Sequence, residues 1–394
     1  MKTTPFFSII GIFLLFTFFS CDDSTSINNC GNGIVDIGEE CDMDSFPYGS
    51  ECTNFGYISG NAQCTSDCRV DVNPCIPSGQ CGNGVIQGDE ECDGDDIGTA
   101  TCESEGYISG NLGCKNDCTF DTSTCTLNYT SPNIGTLIYV PGGAFQRDTI
   151  TSNISTVSSF RISQTEITRS MYYTVWNTDP SDTINSIGTT DPVQSVNWYQ
   201  AISFCNKLSL LEGLTPVYNI EGVDFSNLTH DQIPSTDNDT WNNVSVNWTA
   251  DGYRLPTEME WMWAAMDANI SNPVETNTTG YTKYFSGSNG TNIINDYAWF
   301  SSNSNNTTHP SGSKTMNELG IYDMSGNVWE WIWDYFAMFP AGEIADYKGP
   351  STGDFRILRG GSWATDQTYC TISKRSYDYA DFSSTDIGLR VVRH

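Results

Sequence analysis

Two stretches in the second half of the chain place apolar residues at helical spacing directly after a residue that can cap a helix. Asn197 has Gln200 three residues later, the spacing of a cap and its partner. One face of the helix that follows would hold Ala201, Phe204, Cys205 and Leu208. Thr257 and Glu260 form a second such pair. The buried face of that second helix would hold Trp261, Ala264 and Ala265.

Short apolar runs between long polar stretches predict strands over residues 137–140, 160–163, 355–359 and 388–393. The polar stretches are rich in Gly, Asn, Ser and Thr. Two helices, scattered short strands and much irregular chain predict an α+β domain whose function is built on loops. Loops of this length need something to hold them in place, and a bound metal ion is one means.

The N-terminus carries an apolar run behind Lys2 that is too short to span a bilayer comfortably. It predicts a signal peptide over residues 1–20. The run ends in a serine before Cys21, which resembles a bacterial lipobox, whose cysteine becomes the lipidated first residue, with residues 21–29 as a tether. We therefore expect a lipoprotein anchored to a membrane, at the outer membrane or cell surface. The alternative is a soluble secreted protein in which Cys21 is spare.

A cysteine-rich sequence then occurs twice, as CGNGIVDIGEECD from Cys30 and CGNGVIQGDEECD from Cys81. The copies span residues 30–75 and 81–125 and hold six cysteines each. Modules this small cannot bury a sufficient core, so an exported chain is expected to staple them with disulfides. Zinc is disfavoured because the cysteine count is even and the copies contain no histidine. The connectivity stays open for Cys30, Cys41, Cys52, Cys64, Cys68, Cys75, Cys81, Cys92, Cys102, Cys114, Cys118 and Cys125.

The chain has 17 Lys and Arg residues against 48 Asp and Glu, a formal net charge of -31. This excludes nucleic-acid recognition through a basic surface and favours cations as partners. Carboxylates cluster beside the second cysteine of each copy, either as calcium ligands or as a solvated acidic surface. They are Glu39, Glu40, Asp42 and Asp44 in the first copy and Glu90, Glu91, Asp93, Asp95 and Asp96 in the second.

A Ser/Thr/Asn-rich stretch, residues 126–136, is expected to be a linker to a domain over residues 137–394 with different chemistry. All eleven tryptophans lie in that domain. Seven motifs follow one another there: PGGAF (141–145), EIT (166–168), DPV (191–193), YRLPTE (253–258), GNVWEW (326–331), RGGSW (359–363) and GLR (388–390).

In that order the motifs resemble the formylglycine-generating enzyme domain of the sulfatase-modifying-factor family. The resemblance implies an α+β, C-type-lectin-like fold with little regular secondary structure. Some members oxidise a sulfatase cysteine to formylglycine with copper(I) held between two thiolates. Others are surface lipoproteins, components of envelope machines or diversified ligand-binding proteins. The two cysteine modules resemble repeats of bacterial surface proteins.

Carried over residue by residue, the resemblance places the two copper-binding cysteines at Thr365 and Cys370. A threonine hydroxyl is a hard, neutral donor and a poor ligand for copper(I). Cys205 could pair with Cys370 in a disulfide, but its place on a helix face favours a buried apolar role. We therefore predict that the domain has no catalytic residue. Cys370 and copper would take part only under an oxidase alternative.

The resemblance also implies calcium in the loop over residues 322–331. Its ligands would be the side chains of Asp323 and Glu330 and the carbonyls of Gly326 and Val328. Two carboxylates and two backbone oxygens suit calcium. The alternative is that the two carboxylates only cap loop amides.

These observations predict a surface lipoprotein whose domain binds a ligand or an envelope protein not identified by the sequence, in adhesion or ligand binding. The binding face is expected after Gly361, since that segment varies in diversified relatives. Its aromatic residues are Trp363, Tyr369, Tyr377 and Tyr379. The alternatives are a formylglycine-generating oxidase and a scaffold component of an envelope machine.

Overall fold

The computed structural model describes residues 30–77, 81–88, 90–108, 110–269 and 275–394. The predicted signal peptide and Cys21 lie outside the described residues. The chain divides into two compact units. The first runs up to Ala100 and includes Leu112–Asp121, and the second contains Thr101–Asn111 and Thr122–His394. In the described ranges no helix is both long and apolar enough to cross a bilayer.

All twelve cysteines of the two copies form disulfides, as predicted. The pairs are Cys30–Cys68, Cys41–Cys64, Cys52–Cys75, Cys81–Cys118, Cys92–Cys114 and Cys102–Cys125. Both copies use one connectivity, first to fifth, second to fourth and third to sixth. Disulfides of this density form in an oxidising compartment and indicate an exported protein.

In the described residues of the cysteine modules, regular structure is limited to short strands and one 3₁₀ turn. The strands are β1 (Tyr57–Ser59) paired with β4 (Ile76–Pro77), β2 (Gln63–Cys64) paired with β3 (Val70–Asp71), and β5 (Gly113–Cys114) paired with β6 (Phe120–Asp121). A 3₁₀ turn covers Cys52–Phe55. With so few backbone pairs, the disulfides are the main constraint on the modules.

Carboxylates beside the second cysteines cap backbone amides of their own modules. Asp42 accepts hydrogen bonds from the amides of Gly31 at 2.8 Å and Asn32 at 3.0 Å. Asp93 does the same for the CGNG turn of the second copy, starting with Gly82 at 3.0 Å. These two carboxylates are buried, so their role in the modules is that of caps rather than of a solvated acidic surface.

The sulfatase-modifying-factor-like domain contains four helices and thirteen strands in its described residues. The helices are α1 (Arg169–Trp176), α2 (Trp198–Leu211), α3 (Asp239–Asn242) and α4 (Glu258–Ala265). The strands are β7 (Tyr129–Ser131), β8 (Gly135–Val140), β9 (Gly143–Gln146), β10 (Ile154–Val157), β11 (Phe160–Ser163), β12 (Tyr218–Asn219), β13 (Ser245–Val246), β14 (Trp329–Tyr335), β15 (Ile344–Ala345), β16 (Arg356–Arg359), β17 (Ser376–Asp378), β18 (Ile387–Gly388) and β19 (Val392–Arg393).

These strands form four small sheets. Their orders are β19-β11-β8-β7, β15-β10-β9, β17-β16-β14-β18 and the pair β12-β13. Most neighbours are antiparallel, with parallel pairs at β10–β15 and β14–β18. The small sheets, linked by long irregular segments, are the α+β arrangement that the sequence predicts.

Both predicted capping boxes are present. At α2, the Asn197 side chain accepts from the Gln200 amide at 2.9 Å and Gln200 accepts from the Asn197 amide at 2.8 Å. At α4, Thr257 and Glu260 exchange the same pair of bonds. All eight residues of α4 are buried, however, so the expectation of one buried face is too narrow. Helix α1 was not predicted, because its tyrosines, threonine and valine have weak helix propensity.

Two boundaries differ from the sequence-based prediction. Residues 126–136 are not a linker, since β7 lies within them and pairs with β8, Tyr129 opposite Leu137. A polar composition does not prevent this pairing, because the ladder uses backbone groups only. The predicted strand over residues 388–393 is two strands in two sheets, β18 and β19.

We predict that a thiol reductant will unfold the cysteine modules and leave the domain that follows them folded. Each native disulfide of such modules contributes about 2–4 kcal/mol. All six disulfides precede residue 126, and all eleven tryptophans lie between Trp176 and Trp363. Hydrogen exchange followed by mass spectrometry should show lost protection over residues 30–125. Tryptophan emission should keep its folded maximum. A red shift of that emission on reduction would contradict the prediction.

Candidate functional site

The loop before β14 takes backbone conformations that are unusual for non-glycine residues. Asp323 has φ 56°, Gly326 φ 81° and Asn327 φ 61°. A Cβ at Gly326 would lie 2.2 Å from the carbonyl oxygen of Trp299, so only glycine fits there. The Gly326 amide donates to the Gly360 carbonyl at 2.9 Å, which joins this loop to the RGGSW segment.

Three buried carboxylates face this loop: Glu166, Asp323 and Glu330, each at most 3% exposed. Glu166 accepts from the Val328 amide at 3.0 Å and from the Asn327 side chain at 2.7 Å. Glu166 lies shortly before α1, and through these two hydrogen bonds it holds two residues of the loop in place.

The other two carboxylates have different partners. One oxygen of Asp323 accepts from the Gly312 amide at 2.6 Å. Glu330, at the start of β14, pairs with Arg390 at 2.8 Å and accepts from the Trp261 indole at 2.7 Å. Of these three carboxylates, only Glu330 forms an ion pair with a residue that the structure describes.

Burial dominates the electrostatics of this cluster. Desolvation raises the pKa of Glu166 well above its usual value, and the charges of Asp323 and Glu330 add to the effect. Desolvation raises the pKa of Asp323 to about 6, although the Gly312 amide and Arg390 act in the opposite direction. Burial therefore favours the protonated forms of Glu166 and Asp323.

Asp323 and Glu330, which the sequence predicts as calcium ligands, are both buried and both act on the charge of Glu166. Their role as ligands stays a prediction. The EIT motif contains Glu166, but nothing in its spacing indicated a role beside a loop more than 150 residues away. Within the described ranges, two groups place three possible metal-ligand atoms within 4.8 Å of one another. Both lie in the cysteine modules and both include disulfide sulfurs, so neither offers a thiolate.

Cys370 lies in a small apolar cluster with Ala298 and Phe300, and its carbonyl accepts from the Ser325 hydroxyl at 2.8 Å. It is fully buried, and desolvation, with a smaller contribution from Asp366, raises its pKa to about 12. The Thr365 hydroxyl is bound in a turn, accepting from the Ser362 amide at 2.9 Å and donating to the Ser362 carbonyl at 3.1 Å.

Cys205 is a free thiol in a different apolar cluster from that of Cys370, so the two do not form a disulfide in this structure. Burial raises the pKa of the Cys205 thiol as well. Its position on α2 is that of a core residue, in agreement with its place on the predicted helix face.

The aromatic residues expected to form a binding face separate into two sets. Trp363 is only 7% exposed and its indole donates to the Thr385 carbonyl at 3.1 Å, so its expected exposure is wrong. The position of Trp363 after two glycines suggested an exposed loop, but in the structure its ring is directed into the domain. Tyr369, Tyr377 and Tyr379 are exposed, and the last two pack beside Phe355 at 4.9 and 4.6 Å.

Comparison with known proteins identifies the family. Residues 126–394 match the model of the sulfatase-modifying factor enzyme 1-like domain, and the chain belongs to this family. The match begins at residue 126 and so includes β7.

Individual relatives differ in what they are called. The chain is 34% identical over 266 residues to the chaperone protein LppX of Paenibacillus barcinonensis, covering 65% of this chain and 89% of that protein. It is 31% identical over 159 residues to the formylglycine-generating enzyme of Streptomyces coelicolor, covering 38% of this chain and half of that enzyme. The structure resembles Treponema denticola variable protein 1, with a TM-score of 0.60, 34% identity and coverage of 68% of this chain and 98% of that one.

We predict that native protein will resist alkylation at both Cys205 and Cys370 at mildly alkaline pH. A buried thiol with a raised pKa holds almost no thiolate, the reactive form. Iodoacetamide labelling followed by mass spectrometry would measure this, with unfolded protein as the positive control. The exposed position of Thr368 offers a matched variant, Thr368→Cys, which should label rapidly in the folded state. Fast labelling of native Cys370 would show that the thiol is accessible.

Proposed function

We propose that the protein is an exported lipoprotein whose sulfatase-modifying-factor domain binds a ligand or envelope partner without catalysing oxidation. The observation that carries this proposal is that no second cysteine of the described residues lies in the apolar cluster of Cys370. The position of its family partner is Thr365, whose hydroxyl is engaged with Ser362. A lipid on Cys21 would anchor the chain to the outer membrane or cell surface, and the cysteine modules would stand between anchor and domain in sequence.

The chemistry of copper(I) supports this reading. Copper(I) is a soft ion that prefers paired thiolates, and a neutral hydroxyl replaces one of them poorly. Cys370 is also buried with a raised pKa, so forming even one thiolate is costly. The relative that matches over most of its length is named a chaperone, a role of binding. An oxidase remains the alternative, as does a scaffold role in an envelope machine.

We also propose that calcium binds at the loop before β14. The residues present fit such an ion, because a divalent charge would favour the ionised forms of Glu166 and Asp323, which burial alone disfavours. Asp323 uses one carboxylate oxygen for the Gly312 amide and has no hydrogen bond from the described residues at the other. Asp323 and Glu330, with the carbonyls of Gly326 and Val328, would hold the ion. Calcium would supply a fixed positive charge, and its role would be to stiffen the loop.

The copper hypothesis leads to a prediction about position 365. The wild-type chain should not compete with a copper(I) chelator, whereas Thr365→Cys should, by restoring a pair of sulfur ligands. Spectroscopic competition with bathocuproine disulfonate would measure binding. A matched control, Thr368→Cys, adds a cysteine to the same segment and should not restore binding.

The same preparations should be tested for turnover with a peptide carrying the Cys-x-Pro-x-Arg sulfatase motif. We expect no conversion of the peptide cysteine to formylglycine by the wild-type chain. Conversion by wild type that is lost in Cys370→Ser would overturn the non-catalytic proposal and favour the oxidase.

The calcium hypothesis predicts that calcium raises the melting temperature of the domain and that Asp323→Asn removes the rise. A ligand that binds only the folded state at a hundred times its Kd adds about 2.7 kcal/mol to the free energy of unfolding. Differential scanning calorimetry with calcium and with a chelator would measure the shift. Asp366→Asn changes an exposed carboxylate and serves as the control. An equal calcium response in Asp323→Asn and wild type would exclude this site.

A further inference from the structure

Two adjoining hollows, of about 560 and 490 Å³, lie on the sulfatase-modifying-factor domain and share Asp239, Asn242, Tyr335 and Gly353. We call them together the β14 groove, because Tyr335 is the last residue of β14. Asp239 and Asn242 belong to α3, and Gly353 lies in the loop before β16. The space is large enough for several ring-sized units rather than for one ion.

The wall formed by residues 349–353 lies close against β14 because a glycine stands at each end of this segment. A Cβ at Gly349 would come within 2.8 Å of Asp334, and a Cβ at Gly353 within 2.8 Å of Tyr335. Larger residues would push the segment away from the strand. The shape of the groove therefore depends on these two close approaches.

Arg356 lines the groove and is only 1% exposed, yet it forms no ion pair with any residue the structure describes. Its guanidinium lies 3.5 Å from the ring centre of Tyr335 and 3.6 Å from that of Trp198. One terminal nitrogen donates to the Trp333 carbonyl at 2.7 Å, whereas Nε has no hydrogen-bond partner among the described residues. Buried donors are normally satisfied, so this side chain favours a ligand that brings acceptor oxygens.

The opposite end of the groove is lined with acceptors. Asp237, Asp239, Asp354 and Asp381 line one hollow, which includes no lysine or arginine. Asp239, Asp354 and Asp381 form neither an ion pair nor a side-chain hydrogen bond with residues in the described ranges. The groove thus offers many acceptors at one end and two donors, Lys348 and the buried Arg356, at the other.

The charged residues that line the groove disfavour both anionic and cationic ligands. The four aspartates would repel an anionic ligand such as a phosphate or an acidic sugar. A cationic ligand that spans both hollows would be repelled at the other end, which is lined by Lys348 and Arg356. A neutral molecule with many hydroxyl groups meets neither obstacle, since each hydroxyl both donates and accepts.

Aromatic side chains lie at both ends of the groove. Tyr379, which is 55% exposed, lines the acidic hollow, and the half-buried Trp248 lines the other. An aromatic ring provides an apolar surface that can cover the C–H face of a sugar ring. We propose that the β14 groove binds a neutral oligosaccharide. This inference rests on the proposed binding role of the domain and names the class of its ligand.

Isothermal titration of the full chain with neutral hexasaccharides of glucose, xylose, mannose and N-acetylglucosamine tests the proposal. Hexagalacturonate, which is anionic, and an oligoarginine peptide serve as charged comparators. We expect at least one neutral hexasaccharide to bind more tightly than both comparators. Tyr379→Ala should weaken that binding about tenfold. Tyr284→Ala is a matched control, because Tyr284 is 74% exposed and lines a different pocket.

Three results would overturn the proposal: no heat with any neutral hexasaccharide at millimolar concentration, tighter binding of either charged comparator, or equal binding by Tyr379→Ala and wild type. Tryptophan emission of each variant shows whether it is folded. Asp354→Asn provides a second groove variant at an exposed position and should also weaken binding. Formylglycine formation would overturn the non-catalytic role without bearing on the groove. Failure of sugar binding without formylglycine formation would reject only the ligand class.

Discussion

The buried pair between Arg390 and Glu330 is the interaction on which the sulfatase-modifying-factor domain depends. Both side chains are 0% exposed, and the guanidinium also donates to the carbonyls of Ser163 at 2.8 Å and Tyr322 at 2.7 Å. One side chain therefore joins β11, β14 and the loop before β14. Removing either partner would leave an uncompensated buried charge, which costs about 3–5 kcal/mol. The pair holds two sheets and the candidate calcium loop in one arrangement.

Two other buried pairs also join an arginine to a glutamate. Arg254 pairs with Glu260 at 2.6 Å at the start of α4, and Arg359 pairs with Glu258 at 2.6 Å. These residues fall within, or directly beside, the motifs by which the chain resembles its family. The motifs therefore mark the buried ion pairs that stabilise the fold. This explains how the chain can match the family across the whole domain and still carry Thr365 where the resemblance places a copper-binding cysteine.

The two parts of the chain are stabilised by different physics. The cysteine modules have little regular structure and a small core, and covalent links and carboxylate caps replace what burial cannot supply. The larger domain buries ten residues of α2 alone, six of them aromatic or aliphatic, together with its internal ion pairs. Small sheets and few helices leave most of the surface of the larger domain to irregular chain, the part of a fold on which binding sites are usually built.

Much of the local structure was determined by the sequence alone. The two capping boxes, the strands at 160–163 and 356–359 and the presence of disulfides all follow from residues close together in the chain or from the cysteine count. Such interactions need no knowledge of the fold. The α+β class follows from the same short patterns.

Tertiary structure alone decided the remaining features, because each depends on residues far apart in sequence. Glu166 meets the amide of Val328 across 162 positions, and Arg390 meets Ser163 across 227. Contacts between distant residues also determine four other features. These are the burial of Trp363, the pairing of β7, the disulfide connectivity and the assembly of the β14 groove around Arg356. Periodicity and spacing indicate which polar and apolar groups a segment presents. Only the folded chain determines which distant groups they contact.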